Sequence, residues 1–287
     1  MPMTVLALLD GTIVDHTAPL LRADDLGPLR GDGVFETILV VDGRPRELGP
    51  HLERLARSAA LLDLSPPPRA DWERGVEAVL GAWREPGEMA LRLVCTRGVE
   101  GGDGTPTAWA MGTAVSPEVL RRREQGVSVI TLDRGYAPDL VERAPWLLLG
   151  AKTLSYAVNM AALREAARRD ADEVVFVATD GSVLEGPTST VVLAEGRHLR
   201  TPPPDSGILV GTTQLALFRA AERAGFTTSV EPVGVDELVG ADGLWLVSSV
   251  RQLTQVRTLD GRELPDTGTR AALHSELTDL LASEYRV

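Results

Sequence analysis

The chain is short of cysteine, of lysine and of long apolar runs, and each shortage excludes something. Across 287 residues there is one cysteine, Cys95, so an intramolecular disulfide and a cysteine-based metal cluster are both ruled out, the pattern expected in a reducing cytoplasm. Cys95 lies in the run Met89-Ala90-Leu91-Arg92-Leu93-Val94-Cys95 and reads as core filler. The N-terminal run Val5-Leu6-Ala7-Leu8-Leu9 stops at Asp10 without a basic flank, which makes it a first strand rather than a signal segment or a membrane span. Basic residues are outnumbered 29 to 41 by acidic ones, a net charge of −12. A diffuse acidic surface repels phosphate backbones and anionic lipid, so neither nucleic acid nor membrane is expected as a partner; no metal site is expected either.

Of the 29 basic residues, 28 are arginine and one is Lys152. Arginine is effectively never deprotonated, whereas a lysine can become a neutral amine, so Schiff-base chemistry is a task arginine cannot take over. The count alone is equally compatible with a lysine that survives at a solvated site. Its context is more specific. Lys152 follows the apolar stretch Pro145-Trp146-Leu147-Leu148-Leu149-Gly150-Ala151, which reads as a buried strand, and precedes a helix start near Tyr156. An amine so placed is expected to be desolvated and nucleophilic.

Asp-Gly pairs at 10–11, 42–43, 180–181 and 260–261 sit between β-rich runs and predict hairpins. Apolar spacing predicts helices over 50–63, 156–169, 213–224 and 269–283. Hairpins mixed with helices indicate an α+β chain. The polar stretch Arg121-Arg122-Arg123-Glu124-Gln125-Gly126 suggests a division into an N-terminal domain over 1–115, a linker over 116–126 and a C-terminal domain over 127–287.

Three further segments could carry chemistry. The hairpin around Asp180-Gly181 leads into Leu184-Glu185-Gly186-Pro187-Thr188-Ser189-Thr190, where a carboxylate and hydroxyls could meet a heteroaromatic nitrogen and an anion, or simply form a polar exit. Gly211-Thr212-Thr213 opens a helix, and either threonine serves as an ordinary N-cap or as part of a phosphate seat. The apolar strand Leu244-Trp245-Leu246-Val247 runs into Ser248-Ser249, a second candidate anion contact or a turn. Arg54 stands on a helix whose apolar stripe, Leu52, Leu55, Ala56, Ala59 and Leu62, is otherwise intact.

In this order, from Gly31-Asp32-Gly33-Val34-Phe35-Glu36-Thr37 through Arg54, Thr96-Arg97-Gly98, Lys152, Leu184-Glu185-Gly186 and Gly211-Thr212-Thr213 to Ser248-Ser249, the segments resemble the fold-type IV pyridoxal-phosphate (PLP) enzymes. That family holds branched-chain and D-amino acid aminotransferases and aminodeoxychorismate lyase. The resemblance implies two α/β domains with pyridoxal 5′-phosphate in the cleft between them, a homodimer, and a small-molecule amine as substrate. By it, Lys152 carries the cofactor as a Schiff base and moves the proton, and Glu185 pairs with the protonated pyridine nitrogen. Arg54, Thr212, Thr213, Ser248 and Ser249 would hold the phosphate, with Thr188, Ser189, Leu209 and Gly211 lining the cofactor.

The reaction is read from departures. After Thr96-Arg97-Gly98, D-amino acid aminotransferases place an arginine and a histidine that trap the substrate carboxylate. Here the loop Val99-Glu100-Gly101-Gly102-Asp103-Gly104-Thr105-Pro106 has no basic residue, and Phe35 stands where those enzymes present a tyrosine. The segments around Lys152, Glu185 and Ser248-Ser249-Val250-Arg251 look most like aminodeoxychorismate lyases, which release 4-aminobenzoate and pyruvate on the route to folate. A dianionic substrate needs cations, and Arg97 and Arg251 are the candidates. The competing reading is a transaminase acting on D-amino acids, (R)-amines or branched-chain substrates.

Overall fold

Two of the Asp-Gly pairs form the turns their chemistry predicts: Asp42 and Gly43 lie at φ 51° and 72°, Asp260 and Gly261 at φ 50° and 76°. Both central residues are left-handed, the backbone that matches the twist of the flanking strands and that Asp-Gly tolerates best. A computed structural model of the chain describes residues 3–265 and 267–285. The chain divides into one compact unit of 1–116 with 151–156, and a second of 117–150 with 157–287.

The first unit contains β1 (Thr4–Leu8), β2 (Ile13–Val14), α1 (Leu26–Arg30), β3 (Gly33–Val41), β4 (Arg44–Pro45), α2 (Leu48–Leu61), α3 (Arg69–Ala82), β5 (Met89–Thr96) and β6 (Thr107–Ala114). Its antiparallel sheet runs β2-β1-β6-β5-β3-β4. Even-numbered residues of β3, Val34, Glu36, Ile38 and Val40, are all buried, and α2 packs on that strand. Odd-numbered Phe35 and Thr37 are half-buried on the opposite face. Helix α3 is not among the helices expected from apolar spacing; it starts directly after Pro68, its N-cap.

The second unit contains α4 (Pro117–Gln125), β7 (Val127–Asp133), α5 (Leu140–Arg143), α6 (Ala157–Arg168), β8 (Glu173–Val177), β9 (Thr190–Glu195), β10 (His198–Thr201), α7 (Thr212–Arg223), β11 (Thr227–Val230), α8 (Val235–Gly240), β12 (Gly243–Ser248), β13 (Gln252–Leu259), β14 (Arg262–Glu263) and α9 (Gly268–Glu284). The mixed sheet runs β11-β10-β9-β12-β13-β7-β8, with β14 beside β13. The interiors of strands β9 and β12 are apolar because both their faces are covered: Val191, Leu193, Leu244 and Leu246 face one cluster, Val192, Ala194, Trp245 and Val247 the other, against α7 and α9.

Three expectations are corrected. Residues 117–125, expected as a linker, form α4, which belongs to the second unit. It buries no side chain, and Glu118 bonds both Arg121 and Arg122, so its stability comes from ion pairs that leave no apolar stripe to read. Lys152, expected in the C-terminal domain, lies in the first unit. The apolar stretch before it is no buried strand: Pro145–Leu147 is a 3-10 turn with Trp146 73% exposed. Proline at the first position starts such a turn and cannot donate to a ladder.

Candidate active site

Lys152 is joined to the first unit's sheet. Val34 and Thr153 form an antiparallel bridge, and Phe35 N donates to Lys152 O at 3.1 Å. Lys152 is therefore opposite Phe35, and opposite residues share a face. Its Nζ lies 4.5 Å from the Phe35 ring centroid, and Tyr156 meets that ring edge-on at 5.4 Å. On the other side Lys152 N donates to Ser58 Oγ at 3.1 Å.

Ser58 ends a buried polar stripe on α2, His51, Arg54 and Ser58, whose spacing puts all three on one side of the helix. The stripe meets Glu36 of β3. Arg54 donates through Nε and Nη2 to the two oxygens of Glu36, at 2.7 and 2.8 Å, and His51 Nδ1 is 2.7 Å from Oε2. Burial would raise the Glu36 carboxyl, but the charge of Arg54 and these hydrogen bonds outweigh it and hold it at about 2. Burial lowers His51, and the cations Arg54 and Lys152 add to that, so His51 is a neutral donor to Glu36. Arg54 is thus where the sequence pattern put it, on the helix, with Glu36 and His51 as partners that the pattern did not show.

In the second unit the separate motifs converge. Leu209 N donates to Glu185 Oε2 at 3.1 Å, and Asn159 Nδ2 of α6 donates to Pro187 O at 2.6 Å. Pairing of Thr190 with Val247 brings Thr188-Ser189 and Ser248-Ser249 to the same end of β9 and β12. The start of α7 packs there too: a Cβ added at Gly211 would lie 2.4 Å from Thr190 Oγ1, so only glycine fits. Gly211, not either threonine, is the N-cap; Thr212 and Thr213 are the first buried helical residues, and no cap side chain satisfies their turn. Thr188 Oγ1 and Ser189 Oγ are buried with no hydrogen-bond partner among the described residues.

The two arginines expected on the substrate have other partners. Arg97 donates to Asp32 Oδ2 at 2.6 Å, Leu62 O at 2.5 Å and Asp63 O at 3.2 Å, pinning the end of α2. Arg251 pairs with buried Glu173. Both make contacts that serve the fold. A cation the sequence reading did not single out, Arg92, lies on the first unit's sheet. Strand register opposes Phe35 to Val94 and Val94 to Trp109, and in the next row Thr37 to Arg92 and Arg92 to Met111. Lys152, Phe35, Val94 and Trp109 therefore form one row of a sheet face, and Arg92 stands in the row beside it, diagonal to Phe35. That spacing is about 7–8 Å, within reach of an arginine side chain. Arg92 is the one exposed residue of β5, and its side chain has no ion pair among the described residues. Its trace in the sequence is a charge that interrupts the run of residues 89–95.

Residues 33–259 match the amino-transferase class IV family, and the chain belongs to that family. It is 50% identical over 280 residues to the bifunctional aminodeoxychorismate lyase / D-amino acid transaminase of Mycobacterium tuberculosis, a match covering 94% of this chain and 96% of that one. Its fold matches a PLP-bound hypothetical aminotransferase from the same organism, with a TM-score of 0.94, 48% identity and 99% of both chains covered. A fold IV-transaminase from Curtobacterium pusillum matches with a TM-score of 0.91 and 46% identity over 98% of this chain and 99% of that one. Class IV aminotransferases are PLP-dependent enzymes acting on small molecules. The second unit's residues fit such a group: two orphaned hydroxyls, a bare glycine before an uncapped helix start, and a carboxylate held by a backbone N–H suit a phosphate and a protonated ring nitrogen.

Proposed function

We propose that the chain converts 4-amino-4-deoxychorismate to 4-aminobenzoate and pyruvate, with Lys152 carrying pyridoxal phosphate as a Schiff base. The observation that carries this reading is the 50% identity to a bifunctional lyase and transaminase over nearly the full length of both chains. The same observation, with the likeness to a fold IV-transaminase, favours D-amino acid transamination as a second activity of the same site.

Bound to the chain, pyridoxal phosphate would supply an electron sink for the amine-bearing carbon that loses its proton. Lys152 Nζ removes and returns that proton, steadied over the Phe35 ring. Glu185, whose Oε2 accepts from Leu209 N, would pair with the protonated ring nitrogen. Thr188, Ser189, Thr212, Thr213, Ser248, Ser249 and Arg54 hold the phosphate, and Gly211 lets the backbone approach it. Arg92, in place of Arg97 and Arg251, receives a substrate carboxylate. The exposed Trp146, Leu147, Val158 and Met160 supply an apolar surface for a second copy of the chain, consistent with a homodimer. The buried lone Cys95 is consistent with a cytoplasmic enzyme.

The holoenzyme incubated with aminodeoxychorismate is expected to form aminobenzoate without accumulating the pyridoxamine form of the cofactor. Pyridoxamine formation from D-alanine, with no aminobenzoate from aminodeoxychorismate, would leave transamination alone. Borohydride reduction should add cofactor mass to the Lys152 peptide only, and absence of that adduct would remove the Schiff-base assignment. Arg92→Met should raise KM for carboxylate-bearing substrates by about tenfold or more, the loss of one charge-assisted contact, while turnover of an amine lacking a carboxylate stays unchanged. Equal effects on both substrates would count against Arg92.

A further inference from the structure

The turn joining β12 to β13 is fixed more firmly than a surface turn requires. Its three successive carbonyls each accept a hydrogen bond from a side chain. Ser249 O accepts from Gln252 Nε2, Val250 O from Arg123 Nε and Nη2 at 3.0 and 2.5 Å, and Arg251 O from Thr254 Oγ1 at 3.1 Å. Gln252 itself is held at φ 57°, a left-handed backbone that a non-glycine residue keeps only where its surroundings impose it.

The remaining tie is the Arg251 side chain. Its Nη1 forms an ion pair with Oε1 of Glu173, the first residue of β8, which is 1% exposed. Arg122 Nη1 of α4 lies 3.8 Å from the same oxygen, and Arg122 Nη2 lies 3.3 Å from Asp172, itself bonded to Ser128. Helix α4 therefore grips the turn twice, through Arg123 on its backbone and through Arg122 on the carboxylate that receives Arg251. What this clamp carries is Ser248-Ser249, at the end of β12 where the unpartnered hydroxyls of Thr188 and Ser189 also lie. A hydroxyl contributes to an anion seat only within a few tenths of an ångström of hydrogen-bond distance, so a seat built on a turn needs the turn immobilised.

We propose that Arg251, by pairing with Glu173, is a positioning residue for the Ser248-Ser249 hydroxyls and thereby sets how tightly the second unit grips a phosphate monoester. The proposal rests on the cofactor reading above. Arg251 touches neither cofactor nor substrate; it acts through the turn.

The test compares two probes on the full chain stripped of cofactor: pyridoxal phosphate and phosphate-free pyridoxal, with affinities read from quenching of tryptophan fluorescence. Arg251→Met should weaken pyridoxal phosphate about tenfold, the scale of one charge-assisted hydrogen bond, and leave pyridoxal unchanged. Glu173→Gln, which keeps the shape and removes the charge, should do the same. The double variant should lose no more than either single one, because both break one clamp. Equal weakening of both probes would make Arg251 a general stabiliser and overturn the proposal, as would unchanged affinities or fully additive losses. The wild-type borohydride adduct is the separate control. Its absence would remove the cofactor reading itself, whereas its presence with unchanged variant affinities removes only the role of Arg251.

Discussion

Two buried carboxylates, one in each unit, are placed between basic side chains and respond in opposite ways. Glu36 accepts short, in-line hydrogen bonds from Arg54 and His51, and its carboxyl is held at about 2. Glu173 faces Arg251 and Arg122, yet neither of its oxygens has a hydrogen-bond partner among the described residues. Burial there exceeds the pull of the two arginines, with nearby Asp172 adding to it, and the carboxyl is pushed up. Nearby charge offsets the cost of burying an acid less fully than directed donors do.

The largest expected effect breaks the tighter of the two. Arg54→Ala strands a buried carboxylate and should cost about 3–5 kcal/mol in denaturant unfolding. Arg251→Met should cost less, about 1–2 kcal/mol, because Glu173 takes up a proton when its partner is lost. Equal losses would mean that the two acids are held alike.

The smallest effect is a difference in pH dependence. Glu36 is depressed below its ordinary 4.5, so its stabilisation is complete above that value and is lost as pH falls toward about 2. The gap between wild type and Glu36→Gln should therefore persist from neutrality down to its ordinary range and close only below it. Glu173 is raised, so the folded chain binds its proton more tightly than the unfolded chain does, a contribution present below the ordinary value and lost as pH climbs through the raised one. Its neutral form resembles glutamine, and the gap between wild type and Glu173→Gln should be smallest in acid and widen toward neutrality. Unfolding midpoints measured across that range check both, and parallel curves would contradict the assignment of opposite shifts.

Much of the site was legible because its features are local. A unique lysine can be read from the count alone, and a Leu-Glu-Gly-Pro run with hydroxyls after it, a glycine before a helix and a serine pair after an apolar strand within a few residues each; those last three do converge in the second unit. The Asp-Gly turns, the stripe of α2 and the spans of α7 and α9 are equally local, being matters of backbone preference and spacing. Helix α4 was not legible, since ion pairs along a polar helix leave no apolar period, and the run before Lys152 misled because proline-led 3-10 turns and buried strands share an apolar composition.

The sequence by itself determined the fold class and the family, and singled out the one lysine proposed to bear the chemistry. The tertiary structure decided what each arginine does: Arg97 and Arg251, which looked available, are tied to Asp32 and Glu173, while Arg92, which looked like an interruption in a strand, stands on the same sheet face as Lys152. The reason is strand register. Arg92 and Lys152 come together only because β3 pairs with β5 on one side and with residues 152–154 on the other, and pairing between distant segments leaves no mark on the residues around either one.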